Sequence, residues 1–299
     1  MESQQRTRQT QDALRTARVS VVLPARNEQG AVGDTVRRVL ELHPGAQVIV
    51  VDDGSTDSTA LLAEQAGASV LRRPYGMGNG TAVKAGARAA DGDVLVFMDA
   101  DGQHDPADIA RLLERLDEGY DMVVGARDGG SQASVGRGLA NRLYNRLASW
   151  MTGHPVLDLT SGFRAARAER FLEFVHLLPN GFSYPTTSTM AFFRSAYPVA
   201  YVPIRAAKRI GTSHIRPLRD GVRFLLIIFK IATLYSPLKL FAPVATGFLT
   251  LGLGWYLYTY HTQGRFTNMS ALLLSAAVIV FLIGLISEQI TNLTYRRDG

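Results

Sequence analysis

The chain of 299 residues contains no cysteine, which excludes disulfides, thiol nucleophiles and cysteine-ligated zinc. It also lacks an apolar run near its start. Met1 to Arg18 is polar, so no signal peptide is read there and residues 1–18 are expected to be a disordered tail. Glycine is missing where a dinucleotide fold would need it: after the apolar run Val19 to Leu23 the turn reads Pro24-Ala25-Arg26-Asn27-Glu28, with no glycine before Gly30. The Gly-x-Gly-x-x-Gly fingerprint is therefore absent, and the NAD reading falls. Acid is scarce in one long block, since between Arg205 and Lys239 eight basic residues stand against Asp220 alone. That block and the net charge of +6 favour phosphate groups or acidic lipid headgroups, not nucleic acid.

Two long runs are almost free of charge, Leu240 to Tyr260 and Ala271 to Ile290. Each is close to the ~20 residues that cross a bilayer, so residues 240–295 are expected to form a transmembrane hairpin. The link His261 to Ser270 carries only Arg265, whereas the basic block precedes the hairpin and Tyr295-Arg296-Arg297 follows it. The positive-inside rule then puts both flanks and the rest of the chain in the cytoplasm, making a multi-pass protein of the cell membrane. Residues 214–239 are read as a basic juxtamembrane segment. Within it Gly221 to Leu234 is read as an interfacial helix, with Phe224, Leu225 and Ile228 towards lipid and Arg219, Arg223 and Lys230 towards headgroups.

Ahead of these lies an α/β pattern. Strands are expected at Val19–Leu23, Gln47–Val51, Ser69–Arg72, Asp93–Met98 and Asp121–Val124, and helices at Ala31–Leu42, Ser58–Ala66, Gly80–Ala89 and Pro106–Asp117. Strands alternating with helices of this length imply crossover units and a mainly parallel, Rossmann-like sheet. The run Val94-Leu95-Val96-Phe97-Met98 ends in Asp99-Ala100-Asp101-Gly102-Gln103-His104. It delivers two carboxylates to the carboxyl edge of the sheet, where such folds bind ligands. Mg²⁺ uses one or two protein carboxylates together with substrate phosphates, so this spacing suits a metal-bridged diphosphate. Asp105-Pro106 reads as a helix cap followed by an N1 proline. Gly76-Met77-Gly78-Asn79-Gly80 reads as a turn or as a phosphate-binding nest.

Taken together, VVLPARNE, VDDGSTDST, GNGTAVKAG, DADGQHDP, VGAR, TSGFRAAR and RIGTSHI resemble the family 2 glycosyltransferases of GT-A fold. Within them they most resemble the dolichyl-phosphate mannose synthase-like group, with the GT-A domain over residues 19–213. The resemblance implies transfer of a hexose from a GDP- or UDP-linked donor to a dolichyl or undecaprenyl phosphate, dependent on Mg²⁺ or Mn²⁺ and inverting. It implies that Pro24, Arg26, Glu28, Val51 and Asp53 hold the nucleotide, with Asp52 supporting. Asp99, Asp101 and Gln103, with Ala100 between the carboxylates, hold the metal and donor diphosphate, and Arg127 lies near the phosphates. Ser161, Arg164, Arg209 and His214 face the acceptor phosphate, Arg164 as a bidentate clamp. His214 departs from the family, which more often has lysine there. His104 is read as belonging to the helix N-terminus or as ordering the loop. A polysaccharide or glycolipid synthase with a hydroxyl acceptor is a second reading, although no Gln-x-x-Arg-Trp follows the carboxylate pair. A non-catalytic nucleotide-sugar-binding membrane protein is a third, and the intact Asp99 and Asp101 argue against it. Whether copies form a homo-oligomer is left open by the sequence.

Overall fold

The computed structural model describes residues 17–127, 135–181, 183–205 and 235–294, with positions 229 and 233. Most of the expected N-terminal tail, Arg209, His214 and all but two positions of the expected interfacial helix lie outside the described residues. The chain divides into two units, Met1–His214 and Ile215–Gly299.

The first unit runs β1 (Val19–Ala25), α1 (Val32–Leu42), β2 (Gln47–Asp52), α2 (Thr59–Gln65), β3 (Ser69–Arg72), α3 (Asn79–Ala89), β4 (Val94–Phe97), α4 (Asp108–Asp117) and β5 (Met122–Arg127). It continues with α5 (Val135–Thr152), β6 (Arg164–Arg167), α6 (Ala168–Glu173), α7 (Tyr184–Arg194) and β7 (Val199–Ile204). The seven strands lie in the order β3-β2-β1-β4-β6-β5-β7. All neighbours are parallel except β6, which runs antiparallel to both β4 and β5. The expected mainly parallel sheet is therefore found, with one reversed strand inside it.

The central strands β1 and β4 are apolar, buried runs, as strands covered on both faces are. Val21, Val22 and Leu23 are fully buried, as are Leu95, Val96 and Phe97. Helix α4 shows how the layers meet: Ile109, Leu112 and Leu116 recur on one face and are buried, and Arg111 pairs with Asp108 on the outer side. Asp105 accepts the Ala107 N–H at 3.0 Å and so opens the turn into α4. β1 and β5 run past their expected ends, to Ala25 and Arg127, because a parallel neighbour continues the ladder alongside each. Pro24 stands in register with Val51 and Ala126 with Pro203.

The second unit is a helical hairpin, α8 (Pro237–Gln263) and α9 (Asn268–Thr294). Each helix is ~40 Å long at 1.5 Å per residue, enough to cross a bilayer. Gly264 closes α8 in the left-handed region at φ 65°, so the turn is shorter than the link expected from charge alone. Small residues let the helices approach: a Cβ on Gly252 would lie 3.0 Å from Leu274, and one on Gly284 2.7 Å from Phe241. Leu251, Leu257, Leu272, Val278 and Ile286 are exposed on the outside of the pair, as lipid-facing side chains are. Glu288 Oε2 accepts the Leu238 N–H at 3.2 Å, answering one of the free donors in the first turn of α8.

Candidate active site

Parallel strands release the chain at one edge, and the polar residues read from the sequence collect there. They bound a cleft of about 380 Å³ lined by Pro24, Arg26, Glu28, Asp53, Asn79, Asp99, Asp101 and Tyr184 among others. Ala100 also lines it, whereas Val51 is a core residue of β2.

At one end Asp53 is buried and holds the loop ahead of α3. Its Oδ1 accepts the Met77 N–H and its Oδ2 the Gly78 N–H, both at 2.8 Å, and Arg73 Nη1 lies 3.7 Å away. Asp52 caps the next turn by accepting the Ser55 N–H at 2.9 Å. The Arg26 guanidinium lies over Gly76, in the space a Cβ there would take. The first amides of α3 do not form a nest. Gly80 N–H donates to Gly181 O at 3.1 Å and Thr81 N–H to Asn180 O at 3.2 Å, so the glycines admit the 179–181 backbone and leave these donors unavailable to a phosphate.

At the other end, Asp99 and Asp101 leave β4 on either side of Ala100. Asp101 Oδ1 accepts the Gln103 N–H at 3.1 Å, across the left-handed Gly102 at φ 72°. Gln103 meets the pair through its backbone and does not line the cleft. The Asp99 carboxylate lies against Gly162, where a Cβ would be 3.2 Å from Oδ2, and Tyr184 donates its hydroxyl to Gly162 O at 3.1 Å. His104 is buried with its ring stacked on Phe163, centroids 5.1 Å apart. Burial pushes its pKa below the ordinary imidazole value against the pull of Asp99 and Asp101. A neutral ring packed under the loop fits an ordering role.

Two arginines differ from their expected places. Arg127 does not line the cleft. Its guanidinium is held by Asp158, and Nη2 also donates to Thr160 Oγ1 at 2.6 Å, so it reaches the cleft wall only through Thr160. Arg164 is no acceptor clamp. It is fully buried on β6, where Nη1 donates to Pro185 O at 2.8 Å, Ser188 Oγ at 2.7 Å and Thr189 Oγ1 at 3.1 Å, while Nη2 donates to Ser161 O. A side chain inside the sheet cannot meet a substrate phosphate. Ser161 is likewise buried and does not line the cleft. Asp158 and Tyr184 are absent from the sequence reading, and Asn79 enters it only as part of the glycine-rich stretch 76–80. No spacing marks Asp158 or Tyr184, because each belongs to a segment that joins the site only through the order of the strands.

The cleft suits a hard divalent ion in part. Asp99 and Asp101 offer oxygen donors only, and among the described residues no group of three His, Asp or Glu could hold a metal by itself. Such a pair fits an ion that completes its shell with water and with the phosphates of a ligand.

Residues 20–174 match the family described as "Glycosyl transferase family 2", and residues 236–293 match the "GtrB C-terminal hairpin". The chain belongs to glycosyltransferase family 2. It is a glycosyltransferase of GT-A fold, and α8 and α9, each long and apolar enough to cross a membrane, form its C-terminal hairpin. It is 31% identical to the undecaprenyl-phosphate 4-deoxy-4-formamido-L-arabinose transferase of Pseudomonas fluorescens, over 79% of this chain and 70% of that one. It is also 31% identical to the polyprenol monophosphomannose synthase of Mycolicibacterium smegmatis, over 73% and 86%. Among solved structures it resembles glucosyl-3-phosphoglycerate synthase from Mycobacterium tuberculosis in complex with Mn²⁺, UDP and glucosyl-3-phosphoglycerate. There the TM-score is 0.60 and the identity 26%, over 76% of this chain and 83% of that one.

Proposed function

We propose that this glycosyltransferase moves a hexose from a GDP- or UDP-linked donor to the phosphate of a polyprenyl lipid, dolichyl or undecaprenyl, at the cytoplasmic face of the cell membrane. The observation that carries the reading is one chain holding both parts: a family 2 cleft with the Asp99/Asp101 pair and a membrane hairpin. The two relatives above are named for different sugars and share a polyprenyl lipid, which supports the acceptor class and leaves the sugar to experiment. Orientation follows from charge, because Arg265 is alone in the link while basic residues flank the hairpin on the other side.

The donor leaves as a nucleoside diphosphate that gains negative charge in the transition state. Mg²⁺ or Mn²⁺, when bound by Asp99 and Asp101, supplies Lewis-acid stabilisation of that charge. Asp53 keeps the 76–78 loop closed at the nucleotide end, with Arg26 laid over Gly76. Arg127 and Asp158 fix Thr160 in the opposite wall. The acceptor asks little of the protein in acid–base terms, since a phosphate monoester has its second pKa at about 6 and is already ionised at neutral pH. Direct attack by that oxygen at the anomeric carbon inverts configuration, and no protein nucleophile is required. Arg209 and His214 stand in the basic segment as the cations offered to the acceptor phosphate.

The test is a panel of UDP- and GDP-sugars with undecaprenyl or dolichyl phosphate and Mg²⁺ or Mn²⁺, read by product mass. A sugar-phosphate-prenyl product that needs the metal is expected. Turnover only with hydroxyl acceptors would move the enzyme to the glycolipid or polysaccharide class.

A further inference from the structure

Arg164 is the largest fully buried side chain among the described residues, and none of its hydrogen bonds goes to a carboxylate, although Asp158 and Asp99 are near enough to act on its charge. Its donors go to two carbonyls and two hydroxyls, and Nε has no partner. A guanidinium out of water with no carboxylate bonded to it is costly to keep. A packed apolar residue would fill β6 with less penalty, so the position calls for a reason beyond stability.

Its contacts supply one. Arg164 stands in register with Phe97, two residues ahead of Asp99, and with Val124 on β5. Nη2 binds Ser161 O, which fixes the turn carrying Gly162. Nη1 binds Pro185 O and two hydroxyls of α7, which fixes the helix turn carrying Tyr184. The guanidinium carbon also lies 5.8 Å from the Tyr184 ring centroid, a cation–π distance. Gly162 lies against the Asp99 carboxylate and Tyr184 lines the cleft beside it, and the two are joined by the Tyr184 hydroxyl bond to Gly162 O. One cation behind the sheet thus holds both the turn and the helix end that stand next to Asp99.

We propose that Arg164 is a positioning residue for transfer: from inside the protein it sets the Ser161–Phe163 turn and the first turn of α7, and through them the aim of Asp99. The inference rests on the reading of Asp99 as part of the donor diphosphate site. Because the nucleotide end of the cleft is built on Asp53 and the 76–78 loop, Arg164 governs kcat and the response to metal and leaves nucleotide binding alone.

The experiment uses the full-length enzyme in detergent with the donor and acceptor found by the panel above, and compares R164M, R164K, the double variant S188A/T189V, and D99N. Rates are normalised to folded protein by thermal melts, and UDP or GDP binding is measured in EDTA. For R164M, kcat is expected to fall about a hundredfold, as a displacement of order 1 Å does, with more metal needed for half-activation and nucleotide affinity within about threefold. R164K is expected to recover about a tenth of the wild-type kcat, since an ammonium keeps the charge without the fork. A folded R164M with kcat near wild type, or one whose loss is confined to donor affinity, overturns the proposal. If R164M fails to fold, S188A/T189V decides: a drop of about tenfold in kcat with the fold kept supports it, and wild-type kcat overturns it. Full activity of D99N sinks the reading of Asp99 itself, whereas an inactive D99N beside a normal R164M sinks only the role of Arg164.

Discussion

Arg127 grips Asp158 with two prongs, Nε to Oδ2 at 2.8 Å and Nη2 to Oδ1 at 3.0 Å. Asp158 is buried and the arginine keeps about a third of its side chain exposed. Burial by itself would raise the Asp158 carboxyl, but the bonds and charge of Arg127 outweigh it and hold the group below the ordinary carboxylate value. A depressed pKa stabilises the fold above the unfolded pKa and loses that contribution as pH falls through the folded one. Asp158→Asn is therefore expected to cost about 1–3 kcal/mol at neutral pH. The gap to wild type should close as the medium is acidified below about pH 4. Denaturant unfolding at pH 7 and pH 3 measures both, and a gap that widened in acid would contradict the pairing.

Asp101→Ala takes one of two oxygen donors from the metal side of the cleft. The expected loss is about a thousandfold in kcat, or ~4 kcal/mol of barrier. Initial rates against added Mg²⁺ and Mn²⁺ test it. A variant that keeps wild-type rates in EDTA would show that the carboxylate pair is not the ion's site.

Gly80→Ala places a methyl group 2.0 Å from Pro179 O and 2.7 Å from Gly181 O, which are backbone atoms that cannot swing aside. A loss of about 1–3 kcal/mol is expected from this overpacking, seen as a lower melting temperature. Gly30→Ala, with nothing within 4 Å of the new methyl, is the control and should melt as wild type does.

Because the chain has no cysteine of its own, single cysteines report topology directly. An impermeant thiol reagent on intact cells is expected to label position 265 and to spare position 296. The reverse pattern would invert the hairpin.

Arg209→Ala is expected to raise KM for the polyprenyl phosphate about tenfold to a hundredfold while nucleotide affinity stays within about twofold, as the loss of one charge-assisted contact does. Calorimetry with UDP or GDP and initial rates against the lipid separate the two. Loss of nucleotide binding would move Arg209 to the donor side.

The sheet through β5 was legible because each strand is an apolar run stopped by Asp, Gly or Pro, and because α1 and α4 carry clean helical periodicity. The carboxylate pair was legible for the same reason: its place follows from the end of β4. What the sequence could not reveal depends on pairing between distant segments. Arg-Ala-Ala-Arg has charge at both ends and no apolar run to mark a strand, yet between β4 and β5 it becomes β6 and turns Arg164 inward. The glycines at 76, 78 and 80 look like a phosphate loop until the 179–181 backbone is found against Gly78 and Gly80. Arg127 reads as a free cation by the phosphates because Asp158, its partner, lies 31 positions along the chain.

The reversed strand also sets the order in which the protein can be built. β5 is not hydrogen-bonded to β4 and is linked to the β1–β4 part of the sheet through β6, which leaves the ribosome after both. Until residues 164–167 arrive, β4 is an open edge with unpaired amides, and Asp99 lacks the turn that lies against it. A nascent chain halted at the end of β5 already carries both aspartates but no assembled catalytic edge, so the enzyme stays inert during synthesis until its sheet is closed from the middle.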